Sequence, residues 1–135
     1  MGTTLIYLDA NVIIRLVEGD VGTRTPLEQR LAPSIGMTGS LTTSQLSRLE
    51  CRTKPLRALD HHTLKQFDMF FAGLEITLIE VSASVIDQAT DLRAKYNLKT
   101  PDALHYASAI DAGASVFLTG DLTFSRCQEI PVEVL

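Results

Sequence analysis

Four acidic residues stand where a fold could put them to chemical use. Asp9 closes the apolar run Leu5-Ile6-Tyr7-Leu8, and Asp121 closes the run Val116-Phe117-Leu118-Thr119-Gly120. Glu50 sits within a helical-looking stretch, and Asp102 follows Thr100-Pro101 at a helix start. Carboxyl ends of parallel strands and starts of helices share one rim of an open α/β sheet, the rim on which such folds bind ligands. Carboxylates gathered there repel one another: two of them ~5 Å apart cost about 3 kcal/mol at an effective dielectric of ~20. A fold that holds four must protonate some of them or bind a cation. Oxygen-only ligation suits Mg²⁺ or Mn²⁺, which keep coordinated waters and open positions for phosphate.

Taken singly, each acid also has a bland reading. Asp9 can cap the helix that follows it, and Asp102 suits the positive end of its helix. Glu50 can complete a Ser47-x-x-Glu50 capping box or face water, and Asp121 can serve the turn Thr-Gly-Asp-Leu. It is the joint placement, two acids at strand ends and two on helices, that points to a metal site.

The elements that must position these acids follow from periodicity and punctuation. Residues 4–8 read as a short buried strand, and Val12, Ile13, Leu16 and Val17 form a helical stripe from Ala10 to Glu18, ended by Gly19. A short helix is expected around Pro26–Leu31, with its proline at a tolerated early position, and a weak strand over 35–42, loosened by two glycines. From Thr43 a helix carries Leu46, Leu49 and Glu50, with Pro55 bending or ending it. Residues 61–72 read as a helix with Leu64, Phe67, Phe70 and Phe71 on one side, and 76–81 as a strand. Ser82 opens a helix to Tyr96, Thr100-Pro101-Asp102 opens another to Gly113, and strands close the chain at 115–119 and 131–135. Strands alternating with helices predict a single α/β domain over 1–135, with a mostly parallel central sheet of about five strands flanked by helices on both faces.

Bulk composition is compatible with this. The chain has 135 residues, 45% apolar and 21% charged, enough for one domain with its own core. The four acids account for the whole formal charge of −4, because the other 12 acids balance the 12 Lys and Arg. A basic groove for an anionic substrate is therefore compatible with a mildly acidic chain. The two cysteines, Cys51 and Cys127, match no zinc spacing and make no disulfide framework, which favours reduced thiols. No apolar stretch approaches a membrane span. The start, Met-Gly-Thr-Thr-Leu-Ile, lacks a basic leader and the Ser or Thr that myristoylation expects, so a cytoplasmic protein is expected.

Leu-Asp-Ala-Asn-Val at 8–12, the acid Glu50 on a helix, Thr-Pro-Asp-Ala-Leu-His at 100–105 and Leu-Thr-Gly-Asp at 118–121 resemble the motifs of PIN-domain ribonucleases. Length and element order look most like VapC-type toxins of bacterial and archaeal toxin–antitoxin pairs, and the resemblance covers essentially the whole chain. It implies a PIN-like fold and Mg²⁺- or Mn²⁺-dependent cleavage of RNA phosphodiesters. By matching position, Asp9, Glu50, Asp102 and Asp121 would be the family's acidic quartet, with Asn11 and Thr119 as polar positions that help to order metal or water. The fourth acid varies most in that family, which ranks Asp121 last among the metal contacts. The resemblance also implies a small DNA-binding VapB-type antitoxin, whose tail occupies the active groove, and a homodimer.

Cations for the RNA backbone are sought near the acids. Lys54 and Arg57 fall at i+4 and i+7 from Glu50, on its own helix face if the helix is regular; the alternative is a solvated basic face. Arg15 and Lys99 are further candidates. His61-His62 and His105 invite a metal-independent acid–base reading, but the pair fits an exposed helix start, and His105 a packing or orienting role one turn after Asp102. Two other classes compete: a metal-dependent phosphatase or DNA nuclease on the same rim, and a non-catalytic acidic pocket serving as an interaction domain. Haloacid-dehalogenase phosphatases would want a second Asp where Asn11 stands. Response-regulator receivers would want an acidic pair near the first strand and a later Lys.

Overall fold

Three buried residues form the central strand. In β1 (Ile6–Leu8) successive side chains point to opposite faces, so Ile6 and Leu8 enter one core and Tyr7 the other. The computed structural model describes residues 4–135. The first three residues of the stretch read for targeting signals, Met1-Gly2-Thr3, lie outside the described residues.

Asp9 caps α1 (Ala10–Glu18), and the helix stops where expected. A Cβ on Gly19 would lie 2.3 Å from the Arg15 carbonyl oxygen, so the chain can leave the helix here only on a glycine. α2 runs over Val21–Leu31, five residues longer at its start than the expected Pro26–Leu31. Asp20 caps it by accepting from the Thr23 amide at 2.8 Å, which satisfies a donor that propensity alone leaves open. Pro26 therefore lies inside the helix, where it forgoes one hydrogen bond.

The expected strand over 35–42 is shifted. Gly36 and Gly39 take positive φ (84° and 69°) and turn the chain, so that β2 forms only at Leu41–Ser44. Thr43 thus lies within a strand instead of opening a helix. Ser44 is the true cap of α3 (Gln45–Arg57), its hydroxyl accepting from the Leu46 amide at 3.0 Å. Pro55 neither ends nor interrupts α3: it lies inside the helix, buried, at the cost of one backbone hydrogen bond. The remaining elements fall close to expectation: α4 (His61–Phe71), β3 (Ile76–Ile79), α5 (Ala83–Tyr96), α6 (Thr100–Ala112), β4 (Val116–Thr119) and β5 (Val132–Val134).

Among the described residues all five strands are parallel, in the order β3-β2-β1-β4-β5. Helices α1, α2 and α4, with Cys51 of α3, bury Ile6, Leu8, Leu41, Ile76 and Leu118 on one face. Helices α5 and α6 bury Tyr7 and Phe117 on the other, where Phe117 stacks on Tyr7 with ring centroids 5.2 Å apart. The chain works outward from β1 to β2 and β3, then crosses over to β4 and β5, so the strand order reverses between β1 and β4. In open α/β sheets such a reversal marks the ligand-binding crevice, here at the carboxyl ends of these two strands. Among the described residues no helix is long and apolar enough to cross a membrane.

Candidate active site

The crevice is organised around Asp9. Its backbone N–H extends the β1–β4 ladder by donating to the Leu118 carbonyl at 3.0 Å, which carries the side chain onto the rim. The Asp9 side chain is only 7% exposed. Its Oδ1 accepts from the Ala10 amide at 2.9 Å; its Oδ2 accepts from the Asn11 side-chain amide at 3.0 Å and the Thr119 hydroxyl at 2.8 Å. An ionised carboxylate accepts about four hydrogen bonds, so these three leave Oδ1 with capacity for a further partner. Asp9 is thus both the helix cap and the fixed centre of the rim; the two readings of this residue are compatible.

Asn11 and Thr119 tie the two strand ends together. Asn11 Oδ1 accepts from the Gly120 amide at 2.8 Å, and Thr119 Oγ1 accepts from the Asp121 amide at 3.0 Å. Thr43, within β2, donates to the Leu8 carbonyl at 2.7 Å and shares a hydrogen bond of 2.6 Å with Ser47. Ser47 therefore serves the strand end, not a capping box with Glu50.

Helices α3 and α6 bring Glu50 and Asp102 over the crevice, and the end of β4 brings Asp121. Asp102, in the first turn of α6, has its carboxyl pushed up by burial first, then by the charges of Asp9, Asp121 and Glu50, with His105 opposing. Asp121 caps the short 3-10 turn Leu122–Arg126, its Oδ1 accepting from the Thr123 amide at 2.8 Å and hydroxyl at 2.6 Å. Those bonds, with Lys99 nearby, hold its carboxyl below the usual range. Glu50 is turned to His105: Oε1 lies 2.5 Å from Nε2, while Nδ1 of the same ring meets the Tyr7 hydroxyl at 2.8 Å. His105 Nε2 also lies 3.8 Å from Asp9 Oδ1. Burial and the Asp9 charge push the Tyr7 phenol far above its ordinary value, so it keeps its proton.

The four acids thus share one electrostatic neighbourhood but play different parts. Among the described residues no three carboxylate, imidazole or thiol groups converge as ligands for one ion. Glu50 is engaged by His105, Asp121 by Thr123, and Asp9 by Ala10, Asn11 and Thr119 with Oδ1 still open, which leaves Asp102 as the least committed of the four. The donor set still fits a hard divalent cation, because every carboxylate oxygen at this rim is a hard ligand and the Asp102 carboxyl carries the penalty of its neighbours' charges.

The cations are placed unequally. The Arg15 guanidinium lies against Gly120, where a Cβ would come within 2.5 Å of Nη2, so the glycine lets Arg15 reach the rim. Lys54 and Arg57 lie exposed on α3, whose unbroken register puts them on the Glu50 face. Arg52 is instead paired with Asp68 of α4 at 2.9 Å. His61 and His62 are exposed at the start of α4, away from any acid–base constellation. Residue spacing pointed to neither Tyr7 nor Thr43; the one signal for His105 was its i+3 position after Asp102, on a helix face otherwise buried through Tyr106 and Ala109.

Known proteins supply the family. The family model for the PIN domain matches residues 6–130. No curated protein matches the chain. Among solved structures, DNA-bound VapBC from Salmonella typhimurium superposes with a TM-score of 0.78 at 16% identity, covering 97% of this chain and 98% of that one. A toxin–antitoxin complex from Klebsiella pneumoniae gives 0.70 at 21%, covering 93% and 94%. The sarcin–ricin-loop-cleaving toxin VapC20 of Mycobacterium tuberculosis gives 0.68 at 20%, covering 93% and 98%. With a five-stranded parallel sheet among the described residues and the family model matching residues 6–130, the chain belongs to the PIN-domain family.

Proposed function

We propose that residues 1–135 form one metal-dependent endoribonuclease, the VapC-type toxin of a toxin–antitoxin pair, acting in the cytoplasm. The observation that supports this best is Asp9, locked by Asn11 and Thr119 at the β1–β4 crevice with Asp102 beside it. Asp9 and Asp102 would hold Mg²⁺ or Mn²⁺, Glu50 would complete the set or orient the attacking water, and Asp121 would act from the periphery. A bound cation supplies polarisation of the scissile phosphate and a lowered pKa for a water. The chain's own residues do the rest. Thr119 and Asn11 keep Oδ2 of Asp9 directed, and Arg15 meets a backbone phosphate beside Gly120, with Lys54 and Arg57 extending the track along α3.

Partners follow from the neighbours. Solved VapBC complexes, some bound to DNA, support a small DNA-binding VapB-type antitoxin for this chain, and a homodimer of the toxin is part of the same reading.

The test uses purified protein freed of antitoxin. Total RNA, a sarcin–ricin-loop oligonucleotide, single-stranded DNA and a phosphomonoester are each incubated with Mn²⁺ or with EDTA. RNA cleavage that requires metal and disappears in Asp9→Asn, with circular dichroism unchanged, is the expected result. Full activity of Asp9→Asn at saturating Mn²⁺ overturns the site assignment. Turnover of DNA or the phosphomonoester alone overturns the substrate, and tight metal binding without turnover of anything makes the chain an interaction module.

A further inference from the structure

His105 is the least explained polar residue of the molecule. It is 2% exposed on a helix whose other inward residues are apolar or aromatic apart from Ser108, which donates to the Leu104 carbonyl one turn back at 2.7 Å. An imidazole in that position needs both ring nitrogens satisfied, and both are: the Tyr7 hydroxyl on Nδ1 at 2.8 Å and Glu50 on Nε2 at 2.5 Å. Glu50 holds the ring at Nε2 and the Tyr7 hydroxyl holds it at Nδ1, so the imidazole is fixed from both sides. Core packing would be met equally well by an apolar side chain, and nothing in packing requires a link from the central strand through α6 to an acid on α3.

We propose that His105 is a positioning residue for the acidic site: anchored by Tyr7, its imidazole holds the Glu50 carboxylate over Asp9 and so sets the site's affinity for its divalent cation. The inference rests on the proposed reading of the rim as a cation site. Glu50 is 31% exposed on its side chain and has no other hydrogen-bond partner among the described residues, so without His105 it is free to turn to solvent. A hydrogen bond to one oxygen of a carboxylate fixes its plane and leaves the other oxygen to the metal, and partners of this kind are worth about 10- to 100-fold in metal affinity.

The test is Mn²⁺ binding to the full chain, read from the electron paramagnetic resonance signal of free Mn²⁺, alongside RNA cleavage. His105→Phe is expected to lose about 10- to 100-fold in Mn²⁺ affinity, and Tyr7→Phe, which removes one hydroxyl, a smaller part of it. The pair His105→Gln and His105→Asn separates positioning from packing. Gln places its amide where Nε2 lies and is expected to recover most of the affinity, whereas Asn reaches only the Tyr7 side and is expected to behave like Phe. Circular dichroism and melting curves select the folded variants, and Tyr7→Phe keeps the test alive if the His105 variants unfold. Wild-type Mn²⁺ affinity in folded His105→Phe and Asn, or in Tyr7→Phe where these do not fold, overturns the proposal, as does equal loss in Gln and Asn. A wild type that binds Mn²⁺ but cuts no RNA removes the ribonuclease reading and leaves the variant ratios to decide this one. A wild type that binds no Mn²⁺ removes both.

Discussion

Replacing Thr119 by valine removes one hydroxyl from a fully buried position and keeps the side chain's shape. Two bonds go with it: the donation to Asp9 Oδ2 at 2.8 Å and the acceptance from the Asp121 amide at 3.0 Å. A hydrogen bond to a charged acceptor is worth about 1.5–3 kcal/mol, and a buried N–H left without a partner costs about 1–3 kcal/mol. The Asp121 amide is only part-buried, so water recovers some of the second term. The added methyl returns up to about 0.8 kcal/mol. The net expectation is a loss of about 2–4 kcal/mol, a fall in Tm of roughly 6–16 °C for a chain of this size. Thermal and urea unfolding of the metal-free protein measure it. In an Asp9→Asn background the cost should shrink, because a neutral acceptor bonds about half as strongly as a charged one. A Thr119→Val protein within about 4 °C of wild type, or an equal cost in both backgrounds, refutes the claim that Thr119 holds Asp9.

Three further outcomes are expected. Asp102→Asn should stabilise the metal-free protein at neutral pH, because the folded state raises this carboxyl above its unfolded value of 3.8; the gain should be absent below that value, grow as pH rises through the folded pKa and level off, as urea titrations at several pH values will read. Glu133→Gln breaks the two-pronged contact of Arg30 with Glu133 at 2.7 and 2.8 Å, which joins α2 to β5. Both groups are about a third exposed, so the loss should stay below about 1 kcal/mol; it should be present above the ordinary carboxyl value of 4.5 and vanish as pH falls through the lowered folded value. Burial and the charges of Glu50, Glu18 and Asp9 push the Cys51 thiol up to about 12. A thiol reagent at pH 8 should therefore modify Cys51 only at the rate of unfolding, and fast labelling of the native protein would contradict its placement.

Local signals carried most of the fold and only part of the site. Where an apolar stripe and a cap coincide, as at Asp9 with α1 and Ser82 with α5, the helix ends fall where spacing puts them. α2 escaped because Gly22 to Pro26 carry no stripe, and its buried contacts reduce to Leu27 and Leu31, one turn apart. Thr43 and Ser44 looked like a helix start because they are polar. In the structure they are buried in a strand, and the Thr43 hydroxyl is satisfied by the Leu8 carbonyl. Strand-end acids were legible because a carboxylate after an apolar run is a local pattern. The Tyr7–His105–Glu50 chain was not, since its bonds join residues 98 and 55 positions apart and no local spacing reports such a contact.

The bond between Thr119 and Asp9 spans 110 residues, and that separation has a consequence for the timing of synthesis. Strands β1, β2 and β3 can pair from the first 79 residues, since each lies beside the next in the sheet. Asp9, however, lacks one of its two side-chain partners and all of β4 until Thr119 emerges. At about 5–20 residues per second, that interval lasts roughly 5–20 s. Asp102 arrives late in the same interval. The acidic rim is therefore completed late in synthesis, and a chain released early carries its first acid without Asp102, Thr119 and Asp121.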